Sequence, residues 1–427
     1  MFAKSWVIMG ALIAGINGMS GLAAPASAVE AAADSISPST LDEYLRLARG
    51  ASPATRVAAT RALAARERVG VAKGYPDPML AYGYYTAPDA MKGRQELILQ
   101  QPIPFPGKLG LRGEIAARGA SMAERMSDAM VLDVDFEVKT AFYRYVGLAE
   151  TARVLENETD LLSRMRDVAM VRYESGTAEQ QDVLKVELAR SRLADETTVN
   201  QREIAAIRAR LNELIGRDPT SLLPSPVWTP PDASVIDRAA LADSALARRP
   251  EIAGAREEIA MAEAARRLAT REYIPDFMIG VDYEFGIGEQ GWWELMAGVN
   301  LPIWIGKRRA MVREAEAMQK GAEYRAREET LRTLREVEEA VARARAARER
   351  VERFETAILP QAEAAFISSE ASYRTGRVDF LDYLDSERML LEMRKDYAMV
   401  KAELGMQLAA LERAIGWNRA GSRGESK

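Results

Sequence analysis

The side chains able to do chemistry in this sequence are carboxylates, amines and guanidiniums: 63 Asp and Glu, 58 Lys and Arg, and neither a His nor a Cys among 427 residues. Without Cys there is no thiolate nucleophile, iron–sulfur cluster, disulfide framework or Cys-based zinc site. Without His there is no Ser-His-Asp triad, imidazole base, HExxH zinc site or His-ligated haem. A carboxylate-dependent hydrolase is the enzyme class left standing, and it needs a compact pocket. Among the acids, Asp382 and Asp385 stand six and nine residues after Gly376 and three apart, a spacing that shares one face of a helix. The net charge of −5 argues against a nucleic-acid partner. No catalytic residue, cofactor or metal site is expected.

The elements that position these acids come in two copies. Tyr173-Glu174-Ser175-Gly176, then Asp182-Val183-Leu184 and Glu187, align with Tyr373-Arg374-Thr375-Gly376, then Asp382-Tyr383-Leu384 and Glu387, at an offset of 200. Leu211, Ile215 and Gly216 recur as Leu411, Ile415 and Gly416. Upstream, Pro76-Asp77 answers Pro275-Asp276, and Gly107-Lys108 answers Gly306-Lys307, with the offset drifting slightly. Each half therefore orders its parts alike: a helix, an extended region, a Gly-Lys junction, then two long helices.

The long helices are read from spacings of three and four. Val138, Phe142, Tyr145, Ala149 and Ala152 set the pattern in a Pro-free stretch from about Gly107 to Glu174, and Ile204, Ile207, Leu211 and Leu214 follow the Gly176 turn. Leu334, Val337, Val341 and Ala344 lead towards Pro360, and Tyr397, Val400 and Leu404 follow Gly376. Such spacing is that of coiled-coil-like rods. A helix of about 65 residues reaches on the order of 100 Å.

The extended regions have a period of two. Phe277, Ile279, Val281, Tyr283 and Phe285 alternate with Asp276, Met278, Gly280, Asp282 and Glu284. Trp293, Leu295, Ala297, Val299 and Leu301 alternate with Glu294, Met296, Gly298 and Asn300. About ten alternating residues suit a tilted membrane strand with one face to lipid and one to a wet lumen. Phe277, Ile279, Val281, Tyr283, Leu295 and Val299 are the expected lipid-facing residues. The first half repeats this with Leu80, Tyr82 and Tyr84, a loop around Pro88 to Gly93, then Leu97 and Leu99.

The amino-terminal stretch reads as an export signal: Lys4, a largely apolar Trp6–Leu22, and an Ala26-Ser27-Ala28 cleavage site. Beyond Ala28 the chain has no apolar run near the roughly 20 residues of a spanning helix. An exported chain of this kind enters a membrane only as a β-barrel. Four strands cannot close one, because an open edge in lipid leaves unsatisfied backbone groups. The strands must be pooled between copies: eight for a dimer, twelve for a trimer.

Duplicated helix–hairpin–long-helix halves behind an export signal resemble the TolC-like outer membrane efflux factor family along essentially the whole mature chain. The markers are Gln101-Pro102-Ile103-Pro104-Phe105-Pro106-Gly107-Lys108 and the paired Tyr-x-x-Gly-x5-Asp-x-Leu turns. The resemblance implies a mainly α chain with a small transmembrane β part. Long helices form a trimeric α-barrel across the periplasm, and four strands per chain enter a shared 12-stranded β-barrel in outer-membrane lipid. It implies a signal peptide (1–28), a first repeat (29–216), an equatorial linker (217–249), a second repeat (250–416) and a tail (417–427). It also implies a homotrimer docked on a periplasmic adaptor and an inner-membrane pump.

By the same resemblance, Asp382 and Asp385 ring the periplasmic entrance, with Asp379 and Asp182 as weaker candidates for the same lining; Tyr373 and Arg374 belong to the latch that holds it closed, and Gly176 and Gly376 mark the hairpin tips where the adaptor docks. Three-fold repetition of the two acids would concentrate cations at a constriction. The function implied is a passive exit duct of a tripartite efflux system, not an enzyme. The Pro-Phe-Pro-Gly-Lys junction resembles heavy-metal resistance channels, so metal cations are the expected cargo. Drug or solvent efflux and type I secretion are the alternatives within the family. A periplasmic coiled-coil scaffold without a pore is the alternative outside it.

Overall fold

The computed structural model describes residues 38–86, 93–237, 241–286 and 290–417. The expected signal peptide, most of the loop from Pro88 to Gly93, part of the loop after Gly286 and nearly all of the tail lie outside these residues. Elements run α1 (Leu41–Ala51), α2 (Pro53–Lys73), β1 (Met79–Tyr84), β2 (Gln95–Ile103), α3 (Lys108–Glu174), α4 (Gln180–Leu214), a 3₁₀ turn (Ala233–Asp237), α5 (Leu241–Arg248) and α6 (Pro250–Arg271). They continue with β3 (Asp276–Phe285), β4 (Trp292–Asn300), α7 (Ile305–Arg353), a π turn (Phe354–Ile358), α8 (Leu359–Arg374) and α9 (Phe380–Ala414).

Among the described residues no helix is long and apolar enough to cross a membrane. α3 alone runs for 67 residues, about 100 Å at 1.5 Å per residue. Its periodic positions are the buried ones: Val138, Phe142 and Tyr145 pack with Tyr44 of α1 and with Leu211, Leu214 and Ile215 at the end of α4. The second half builds the matching core from Val337, Ala340 and Ala344 against Leu411, Ala414 and Ile415. α4 and α9, both 35 residues long, end on Gly216 and Gly416 with φ of 73° and 67°, the left-handed cap that glycine adopts without strain.

The second rod is not one unbroken helix. α7 gives way to the π turn, and α8 then opens with Pro360 in its first turn. The cause is legible in the offsets, which are 199 at the Gly-Lys junctions and 200 at the Tyr-x-x-Gly turns. The second rod holds one more residue than the first, and a π turn absorbs an insertion inside a continuing helix. Pro360, which has no N–H to give the ladder, is tolerated because it sits where the regular ladder restarts.

The four strands form one antiparallel sheet in the order β1-β2-β3-β4. β2 pairs with β3 across the two halves, from Gln95↔Phe285 to Ile103↔Phe277. β1 and β4 are therefore edges, each with one side unpaired within the chain.

Candidate functional site

The two helical-hairpin tips are built alike. Gly176 and Gly376 have φ of 73° and 71°. The N–H groups of Gly176 and Thr177 donate to Tyr173 O and Arg172 O at 3.0 and 2.8 Å, and those of Gly376 and Arg377 to Tyr373 O and Ser372 O at 3.1 and 2.9 Å. This 5→2 and 6→1 pattern ends a helix through a left-handed residue. A Cβ on either glycine would meet open space, so the tips constrain backbone conformation rather than volume.

The acids lie just beyond. Asp379 is the N-cap of α9, its Oδ1 accepting from the Asp382 N–H at 2.9 Å. Asp382 and Asp385 are exposed on the first turns of α9, and Asp385 has only a loose partner, Arg388, at 3.7 Å. Asp182, at the start of α4, lies near enough to Asp379 to feel it. Its carboxyl is held above its ordinary value first by burial and then, against the pull of Lys185, by Glu179 and Asp379. The two tips of one chain therefore bring acids from both halves together.

The two residues expected in a latch part company. Tyr373 is buried, stacked on Tyr383 at 5.2 Å and edge-on to Phe380 at 5.6 Å. The Arg172 guanidinium of the first hairpin lies 4.6 Å from its ring centre, a cation–π contact between the halves. Arg374 points outward with its side chain 76% exposed and pairs with Glu370 one turn back. Arg172 is a residue the sequence does not single out, because nothing in α3 announces which ring its side chain will cover.

At the other end of the rods, the sheet sorts its side chains by face. Register sets Phe277, Ile279, Val281 and Tyr283 of β3 beside Val299, Ala297, Leu295 and Trp293 of β4. Phe277, Ile279, Leu295 and Val299 are exposed in the single chain. Val281 and Tyr283 are half-buried, Tyr283 under Trp293 with ring centres 4.5 Å apart. The opposite face carries Glu96, Gln100, Asp276, Asp282 and Glu284.

The sheet is fixed to the rods through the first Gly-Lys pair. Lys108 is 1% exposed; its Nζ lies 2.8 Å from Asp276 Oδ1 and 3.4 Å from Glu272 Oε2, and donates to Ile274 O at 2.8 Å. Asp276 also accepts from the Phe105 N–H at 2.8 Å. Gly107 has a φ of 92°, and a Cβ there would strike the Arg271 guanidinium, which donates to Pro106 O at 3.0 Å. The joint between β2 and α3 is thereby locked onto the joint between α6 and β3.

The chain is similar to known outer membrane efflux and metal-resistance proteins. The family profile described as "Outer membrane efflux protein" matches residues 241–417. The cobalt-zinc-cadmium resistance protein CzcC of Cupriavidus metallidurans is 22% identical over 392 residues, 89% of this chain and 90% of that one. The pyoverdine export outer membrane protein OpmQ of Pseudomonas putida is 29% identical over 178 residues; that match covers 40% of this chain and spans 38% of the relative's length. Among solved structures, CusC, described for its transmembrane channel formation, aligns with a TM-score of 0.77 at 15% identity over 88% of this chain and 92% of its own. The outer membrane protein VceC of Vibrio cholerae aligns with a TM-score of 0.74 at 20% identity, over 88% and 96% of the two chains. The profile thus falls on the second half of this chain, one relative aligns along nine tenths of both chains, and the solved outer membrane channels share its fold of duplicated rods and strands.

Proposed function

We propose that three copies of this chain form the exit duct of a tripartite efflux system, with metal cations as its cargo. The supporting observation is the sheet: four strands, one apolar face and two unpaired edges. In lipid each unpaired backbone group is costly, and joining β4 of one copy to β1 of the next removes every edge. Twelve strands would then close around a lumen faced by the polar set. The rods, carried below the sheet, would line a periplasmic passage, with the segment 217–249 forming its belt.

The hairpin tips would be the gated entrance. Asp382 and Asp385 from three copies would place six carboxylates around it, favouring cations over anions. Tyr373, held under Arg172, would be part of the latch, and Arg374 lies too far out to share that contact. The glycine turns at 176 and 376 would present the surface on which a periplasmic adaptor docks, and an inner-membrane pump would supply the energy. The metal reading rests on CzcC, a cobalt-zinc-cadmium resistance protein whose likeness spans 89% of this chain. Export of pyoverdine or a similar compound is a second reading, favoured by the shorter likeness to the pyoverdine export protein OpmQ.

The test combines a bilayer measurement with a deletion strain. The purified chain should form cation-selective pores, and Asp382→Asn with Asp385→Asn together should reduce the preference for cations. The deletion strain should become sensitive to cobalt, zinc or cadmium. Sensitivity to organic compounds alone would move the cargo to the second reading, and failure to form pores would remove the duct.

A further inference from the structure

The pairing of β2 with β3 brings Glu96 of the first half together with Asp282 and Glu284 of the second. Glu96 is directly opposite Glu284, and Asp282 lies two residues from Glu284 on the same face. One oxygen from each lies within 4.8 Å of the other two. Like charges opposite one another destabilise a strand pair, and the neighbours relieve this only in part. The Tyr85 hydroxyl donates to Glu96 Oε2 at 2.7 Å, and Arg94 Nη1 approaches Glu284 Oε2 at 3.8 Å. Glu294, opposite Asp282 on β4, adds another negative charge nearby.

Asp282 itself is the informative member. It is only 7% exposed, and its Oδ1 has no hydrogen-bond partner. A buried acceptor left unpaired is costly and points to a missing partner. Oxygens that bind a Ca²⁺ ion at about 2.4 Å lie at most about 4.8 Å apart across it, and the three oxygens here lie within that limit. An all-oxygen set with no imidazole or thiolate suits hard divalent cations. We propose that Glu96, Asp282 and Glu284 bind one hard divalent cation of the Ca²⁺ class per chain, with water completing its coordination.

This binding requires only the sheet. Its location on the inner wall near the loop end of the barrel follows if the duct reading holds. The test uses the full chain in detergent, freed of metal with a chelator and titrated with CaCl₂ by calorimetry. One saturable Ca²⁺ per chain is expected, with affinity about tenfold or more weaker in Asp282→Asn. Ca²⁺ should raise the melting temperature of the parent and not of that variant. Glu96→Gln carries the same test should Asp282→Asn fail to assemble, and Asp195→Asn, at an exposed acid of α4, should leave binding unchanged. No saturable binding, an affinity in both sheet variants equal to the parent's, or loss of binding in Asp195→Asn would each overturn the site.

A second inference stands on the repeat. Lys108 meets Asp276 where β2 pairs with β3. Their counterparts at an offset of 199 are Lys307, beside the free edge β4, and Asp77, beside the free edge β1; both are exposed. If β4 of one copy pairs with β1 of the next as β2 pairs with β3, the repeat superimposes the two junctions. The geometry points to an ion pair between Lys307 and Asp77 of a second copy, and this rests on the proposed trimer. Lys307→Glu and Asp77→Lys should each lower the temperature at which the assembly dissociates in mild detergent, and the double exchange should restore it. Singles without effect, or a double without rescue, would overturn the contact while leaving a trimer standing. A chain that sizes as a monomer throughout would overturn both.

Discussion

The two Gly-Lys junctions share a dipeptide and almost nothing else. At the first, Gly107 takes a left-handed φ beneath Arg271, and Lys108 is sealed between Asp276 and Glu272. At the second, Gly306 lies inside α7 with open space where a Cβ would go, and Lys307 is exposed. The difference is one of neighbours. β2 has β3 beside it and the α6–β3 joint next to its own, whereas β4 has an empty side. Identical residues thus acquire different roles from what the sheet places next to them, and a duplicated chain can hold a finished junction and an open one.

That contrast can be broken most sharply at the lysines. Lys108→Met takes the buried cation from Asp276 and leaves Glu272 only the longer contacts to Arg112 and Arg308 at 3.6 and 3.7 Å; it should cost about 3 kcal/mol, seen as a lower melting temperature of the detergent-solubilised protein. Lys307→Met in the separated chain should cost less than about 1 kcal/mol. Equal effects would mean that the second junction is already closed within one copy.

The next pair is Glu387 and its counterpart Glu187. Glu387 is 2% exposed between α9 and α3, where burial first and then the neighbouring Glu158 push it up to about 9. Glu187 is on the surface, 3.2 Å from Arg190. The folded chain holds a proton on Glu387 that the unfolded chain releases above its ordinary value of 4.5. Its stabilising contribution is therefore complete below that value and is lost as pH rises through about 9. Melting followed from pH 5 to 9 should show Glu387→Gln gaining steadily on the parent, while Glu187→Gln follows it in parallel. A flat difference for both would mean that Glu387 is ionised in the folded chain.

The glycines give the smallest effect. Gly107→Ala meets both the left-handed backbone and the Arg271 side chain, and should cost about 1–2 kcal/mol. Gly306→Ala, at a helical position with room, should be neutral or stabilising by up to about 1 kcal/mol. Melting temperatures of the two variants make the comparison directly.

Much of this architecture is written locally. The threes and fours of Val138, Phe142 and Tyr145, the alternation from Asp276 to Phe285, and the turn glycines at 176 and 376 each report on their own neighbourhood, and the structure places rods, strands and turns there. What could not be read depends on pairings between distant segments. Glu96 faces Glu284 only because two hairpins from different halves align, and Arg172 covers Tyr373 only because two helical tips meet. The acids at the tip are an intermediate case: their helix face follows from spacing, whereas the capping duty of Asp379 and its influence on Asp182 emerge only with the folded turn.

The π turn at Phe354–Ile358 has a consequence for the shape of the whole rod pair. An extra residue wound into an ordinary α-helix would advance every later side chain by about 1.5 Å and rotate it by about 100°, carrying Tyr373 away from the guanidinium above it. Taken up in one widened turn, the surplus is discharged before the tip is reached. Ancient copies whose lengths have drifted apart can in this way still finish level and in phase, as a vernier corrects a scale.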